Sequence, residues 1–126
     1  MRKLAREATF KLIYQSMFTI DDEPSLALIS EDLEDNDKEY SQTLYSLYKS
    51  NKEDIKKLLE DNVKGYELER IYKVDVSLLY LGITEIKYGK EPAPVVINEI
   101  VDIAKRYSTE KSYGFINAIM SAIIKE

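Results

Sequence analysis

Four basic side chains stand among the first eleven residues, Arg2, Lys3, Arg6 and Lys11, against a single acid, Glu7. Arg2 and Arg6 are four apart, so on a helix they share one strip of surface. A cationic strip at a helix start takes phosphate by releasing counterions, which gives affinity without a sequence code. The plain alternative is a solvated helix face, and four charges alone favour it. Lys111 and Phe115, also four apart, offer a charge and a ring that can stack on an unpaired base, although a Phe in a helix is more often core. Asn98-Glu99 has the residue types of an acid–base pair. The structural use is favoured there, with Asn98 serving backbone groups near a proline-rich connector and Glu99 stabilising an early helix turn.

Other chemistry is pruned by what is missing. The 126 residues contain no His, Cys or Trp. That removes the usual zinc sites, a thiol nucleophile, a disulfide and a Ser-His-Asp triad. The Glu-x-x-His ligands of helical di-metal sites are missing too. Gly65, Gly82, Gly89 and Gly114 lie too far apart for a phosphate-cradling loop. The chain is therefore expected to be no enzyme, with no catalytic residue, metal or cofactor. At 44% apolar and 33% charged it should fold as one domain. The longest apolar run, Leu78 to Ile83, is far short of the roughly 20 residues of a membrane span, so a cytoplasmic protein with no membrane partner is expected.

Charge is unevenly spread. Residues 1–20 carry a net +3, residues 21–40 a net −8, and the remainder is neutral, for −5 in total. A polyanion would have to approach the first helix from the side away from residues 21–40.

The elements that must position these groups are helical. Few prolines and glycines interrupt the chain, and apolar residues recur at three and four. The first helix should run from Lys3 to Phe18, with Leu4, Ala8 and Leu12 on one side and Phe10, Ile13, Tyr14 and Met17 on another. Burial on two sides makes it central, with Arg2 and Arg6 on the exposed strip. A short helix should follow Pro24. After a turn at Glu34–Asp37, a third helix carries Tyr40, Leu44, Leu47 and Tyr48, and Asn51 can cap a fourth that Gly65 closes. Tyr66–Tyr72 reads as a helical turn. Asp75 should cap a helix ending near Gly89, in which Glu85 should pair with a base or a backbone donor, Arg70 and Lys87 being the obvious candidate bases.

Val95-Val96-Ile97 suggests a strand by β-branching. The stripe Val96, Ile100, Ile103, Ala104 and Tyr107 argues for a helix instead. Ser112 can cap the last one, where Gly114, Ala118 and Ala122 form a small-residue stripe that would admit another helix closely. Most of the ten tyrosines fall on core stripes, with hydroxyls expected at the surface. The expectation is an all-α bundle in two packed halves, about residues 1–66 and 67–126.

Several blocks resemble the NusB family of transcription antitermination factors. They are Arg2-Lys3-Leu4-Ala5-Arg6-Glu7-Ala8 with Leu12-Ile13-Tyr14-Gln15, then Leu68-Glu69-Arg70-Ile71, Val74-Asp75 and Glu85-Ile86. The most specific is Pro92 followed by Val96-Ile97-Asn98-Glu99 and Ala104-Lys105, continuing to Phe115-Ile116-Asn117. Tyr80 departs from the pattern, which usually has Arg there, and Lys111 stands where an acid is common.

The resemblance implies about seven helices. It also implies binding of single-stranded boxA-type RNA in nascent ribosomal-RNA transcripts, pairing with the ribosomal protein NusE, and help in assembling an antitermination complex on RNA polymerase. With it, Arg2, Lys3, Arg6, Lys111 and Phe115 become RNA-binding candidates. Tyr14, Glu69 and Asp75 become candidates for the NusE face, where acids would suit a basic ribosomal protein. Two alternatives stand beside this reading: a helical protein-interaction domain without direct RNA binding, and a homodimer that hides the RNA surface until NusE arrives.

Overall fold

The computed structural model describes residues 2–18, 33–63 and 70–125, and every regular element within them is helical. The order is α1 (Lys3–Ser16), α2 (Asp35–Ser50), α3 (Lys52–Asn62), α4 (Lys73–Tyr88), α5 (Ala93–Tyr107) and α6 (Glu110–Ile124). The helix expected after Pro24, most of the Tyr66–Tyr72 turn, Gly65 and the boundary between the two expected halves lie outside the described residues.

The all-α expectation holds, and the centre of the bundle is α4. Every residue from Asp75 to Glu85 is buried, and α4 packs against each of the other five helices. Its sequence explains this, since a helix apolar on all sides has no face to give to water. The hydroxyls within it are satisfied locally: Ser77 Oγ donates to the Lys73 carbonyl at 2.7 Å and Thr84 Oγ1 to the Tyr80 carbonyl at 2.7 Å. Tyr80 itself lies in the core, its ring 5.7 Å from that of Tyr48. Burial, aided by Glu60 and Glu53, pushes its hydroxyl up to about 12.

Helix α1 is buried on two sides, as expected, packing on α2 and α4. Leu4, however, is 56% exposed. The last helix, α6, buries only Ser112, Ile116, Met120 and Ile123, and its small-residue stripe faces outward. Nothing lies within 4 Å of a Cβ built on Gly114. The close helix approach is made instead at Gly82 on α4, where an added Cβ would collide with the Met120 side chain of α6.

Several ends shift for physical reasons. Helix α2 starts at Asp35, inside the expected turn, because Asp35 and Asp37 suit the positive end of the helix dipole. Asn51 stands at the junction of α2 and α3, but its amide donates backward to the Leu47 carbonyl at 2.9 Å and does not cap α3. Residues 95–97 are helical, with Pro94 in the first turn of α5, where its missing N–H does no harm. Asp75 and Ser112 are not caps. Each lies within the first turn of its helix, and their side chains bond to each other.

Candidate functional site

The N-terminal basic residues do not form one solvated strip. Arg6 on α1 is 3% exposed and faces α4, where its guanidinium grips Glu85 in two parallel contacts. Arg6 Nε lies 2.8 Å from Glu85 Oε1 and Nη2 lies 2.8 Å from Oε2. Tyr40 on α2 donates its hydroxyl to the same Oε2 at 2.5 Å. Burial opposes the charge on Arg6, but the hydrogen bond and charge of Glu85 outweigh it and hold the guanidinium protonated beyond its ordinary range. Burial, reinforced by Glu85, also keeps the Tyr40 hydroxyl neutral. The expected placement of Arg6 on the exposed strip is therefore corrected. So are the bases expected for Glu85, because its partner comes from 79 residues earlier and not from Arg70 or Lys87.

Arg2 lies above this layer. Its guanidinium carbon sits 3.8 Å from the centre of the Tyr40 ring, a cation–π stack, and its Nε is 3.1 Å from Glu91 Oε1. Arg2, Arg6, Asp37, Glu91 and Glu99 line a cleft of about 420 Å³ in which acids outnumber bases. Lys3 is exposed and has no ion-pair partner among the described residues.

Lys111 and Phe115 belong to a different cleft, of about 500 Å³, shared with Ile71, Tyr72, Asp75 and Ser112. Of the RNA-binding candidates read from the sequence, Arg2 and Arg6 thus line one cleft and Lys111 and Phe115 another, which they share with a proposed partner contact. Asp75, a candidate for the NusE face, is 5% exposed and lies at the wall of this cleft. Ser108 Oγ donates to its Oδ1 at 2.6 Å and Ser112 Oγ to its Oδ2 at 2.8 Å. These bonds tie the start of α4 to the α5–α6 junction. Tyr14 is partly buried, its ring 6.3 Å from Phe10 and 5.0 Å from the exposed Phe18. Glu69 lies outside the described residues.

A third network was not foreseen. Glu7 on α1 accepts a hydrogen bond from the Tyr107 hydroxyl at 2.6 Å, and Lys11 Nζ lies 3.5 Å from the same oxygen. Arg106 Nη2 lies 2.8 Å from Glu7 Oε2, off the line of a directed hydrogen bond, so that oxygen has a charge partner without a donor. Burial tends to raise the Glu7 carboxyl, but the Tyr107 hydrogen bond and the charges of Arg106 and Lys11 hold it below its usual range. The 39% exposed Tyr107 ring has Lys11 Nζ 5.6 Å and Arg106 Cζ 5.9 Å from its centre. Only Glu7–Lys11, four apart, was visible as a pair in the sequence.

A family model described as "NusB family" matches residues 3–125. The chain is 36% identical to the transcription antitermination protein NusB of Natranaerobius thermophilus, covering 99% of this chain and 95% of that one. Among solved structures, T. maritima NusB superposes with a TM-score of 0.90 at 32% identity, covering all of this chain and 92% of the other. A structure described as antitermination factors NusB and NusE in complex with dsRNA gives a TM-score of 0.88 at 26% identity, over 98% of this chain and 96% of that one.

Proposed function

The chain belongs to the NusB family, and from that premise we propose a non-enzymatic transcription antitermination factor that binds RNA together with NusE. The observation that carries this is the superposition of almost the whole chain, not one motif, on a NusB that was solved with both NusE and RNA. The RNA is of boxA type in nascent ribosomal-RNA transcripts, and the assembly acts on RNA polymerase in the cytoplasm. No helix among the described residues is long and apolar enough to cross a membrane.

Arg2 and Lys3 supply phosphate contacts at one end of the RNA path, both being exposed at the start of α1. Lys111, exposed at the start of α6, supplies another, with the partly buried Phe115 ring beside it for stacking. Arg6 is a positioning residue: through Glu85 and Tyr40 it fixes the platform on which Arg2 rests. Tyr14 and Glu69 serve as contacts for NusE, and Asp75 holds the start of α4 to the α5–α6 junction.

One observation favours a second reading. Arg2 and Arg6 are already neutralised by Glu91 and Glu85, which would suit a protein-interaction domain that leaves the RNA to its partner. Titration with boxA-type RNA, alone and with NusE, separates the two. Binding by the isolated chain that strengthens with NusE supports the first. NusE binding with no RNA contact by this chain supports the second, and binding to neither overturns both.

A further inference from the structure

Glu91 occupies the place where an incoming phosphate would meet the N-terminal arginines. It stands on the short link between α4 and α5, immediately before Pro92, and its carboxylate reaches back over the start of α1. Its Oε1 lies 3.1 Å from Arg2 Nε and 3.9 Å from Arg6 Nη2. The arrangement beneath it is fixed: Glu85 holds Arg6 and the Tyr40 hydroxyl, and the Tyr40 ring holds the Arg2 guanidinium carbon 3.8 Å from its centre. A single oxygen between two guanidinium groups is the geometry of a phosphate oxygen in an arginine site. Here that oxygen is supplied by the protein.

We propose that Glu91 is a built-in competitor for RNA phosphate, setting the affinity and salt dependence of the N-terminal cleft. This rests on the RNA-binding reading above. A cation already paired with a carboxylate must break that pair before it can neutralise a phosphate and release the counterion condensed there, so it adds little net affinity until the carboxylate leaves. Phosphate therefore binds at Arg2 by exchange, with Glu91 swinging away on its solvent side, where it is 31% exposed. Arg6 does not move, because its bidentate contact with Glu85 is buried. Asp37 and Glu99, in the same cleft, add a background repulsion without contacting Arg2.

The test uses the full chain and labelled boxA-type RNA. Glu91→Gln keeps the size of the side chain and a hydrogen-bond acceptor for Arg2 while removing the charge. It should tighten RNA binding by about two- to fivefold, the range of an exposed ion pair. The slope of log affinity on log salt should steepen, by no more than the roughly 0.7 of one phosphate contact, because salt no longer aids binding by loosening the Arg2–Glu91 pair. Glu60→Gln, on the exposed surface of α3, removes the same charge elsewhere and should change neither quantity. In an Arg2→Ala background the gain from Glu91→Gln should vanish. Circular dichroism checks that each variant is folded, and Glu91→Ala replaces the Gln variant if that one is not. A Glu91 variant that binds like the parent or like Glu60→Gln overturns the proposal, as does a gain that survives the loss of Arg2. Folded parent and variants that all fail to bind overturn the RNA-binding reading itself.

Discussion

Arg6 and Glu85 form a buried bidentate ion pair across the interface of α1 and α4, with side chains 3% and 0% exposed. Removing one partner leaves the other charged and without its counter-ion in the core, which typically costs about 3–5 kcal/mol. Arg6→Ala and Glu85→Ala should each lower the melting temperature sharply. Replacing Arg6 by Met, Glu85 by Leu and Tyr40 by Phe together removes every charge and hydroxyl of the network, and should recover most of that loss. A triple variant no more stable than the single ones would show that the pair is a net stabiliser.

The contact of Gly82 with Met120 makes a separate prediction about packing. A methyl group at position 82 would meet Met120 Sδ at 2.8 Å and its terminal carbon closer still. Ala is favoured over Gly in a helix by about 1 kcal/mol, while overpacking costs about 1–3 kcal/mol. Gly82→Ala should therefore be neutral to moderately destabilising, its sign set by how far the flexible Met120 tip can move. Met120→Ala destabilises alone by opening a cavity, but combined with Gly82→Ala it should lose less than the two single effects added. Strict additivity in denaturant melts would remove Gly82 as the point of closest approach.

Glu7 gives the pH prediction. Its folded carboxyl lies below the ordinary 4.5, so the folded state favours its charged form. The stability it contributes is present above the unfolded value and is lost as pH falls through the folded one. Glu7→Gln should therefore destabilise the protein at neutral pH, and the gap between parent and variant should narrow below pH of about 4. A gap that widens with acid would contradict the network of Tyr107, Arg106 and Lys11.

Asp75 separates a structural role from a docking role. Asp75→Asn leaves Ser108 and Ser112 facing an amide, one side of which can no longer accept their hydroxyls. A loss of about 1–3 kcal/mol is expected. NusE affinity, measured where the variant is fully folded, should stay near that of the parent because the carboxylate is enclosed. Tyr14→Ala should instead weaken NusE binding while the helices persist.

The fold was legible in the sequence because it rests on periodicity. The stripe of Val96, Ile100, Ile103 and Ala104 outweighed β-branching, and α5 is helical as that stripe required. The central place of α4 was less legible. A helix buried on all sides carries no moment to announce it, and α6, equally apolar in composition, turned its small residues outward. The sites were hardest to read. Periodicity puts Arg2 and Arg6 on one strip, but only tertiary contact reveals that Glu85 and Glu91 reach them from 79 and 89 residues away in the chain. Glu91 in particular has no local pattern that would connect it to α1.

Separate clefts for Arg2 and Lys111 predict separable RNA phenotypes. Arg2→Ala with Lys3→Ala removes charges that support no buried structure, so folding and NusE affinity should be nearly unchanged. RNA binding should weaken, and its salt slope should flatten by roughly 0.7 for each phosphate that is no longer neutralised. Lys111→Ala should flatten the slope in the same way. Phe115→Ala should differ: stacking carries no counterion, so affinity falls by about 1–3 kcal/mol with the salt slope intact. Because Phe115 is partly buried, its melting temperature must be measured alongside. Combining the N-terminal pair with Lys111→Ala should give additive losses, since Arg2 and Lys111 line different clefts and Lys3 lines neither. Strong coupling between them would mean that RNA bridges the two clefts through a shared rearrangement, and the picture of two independent contact points would fail.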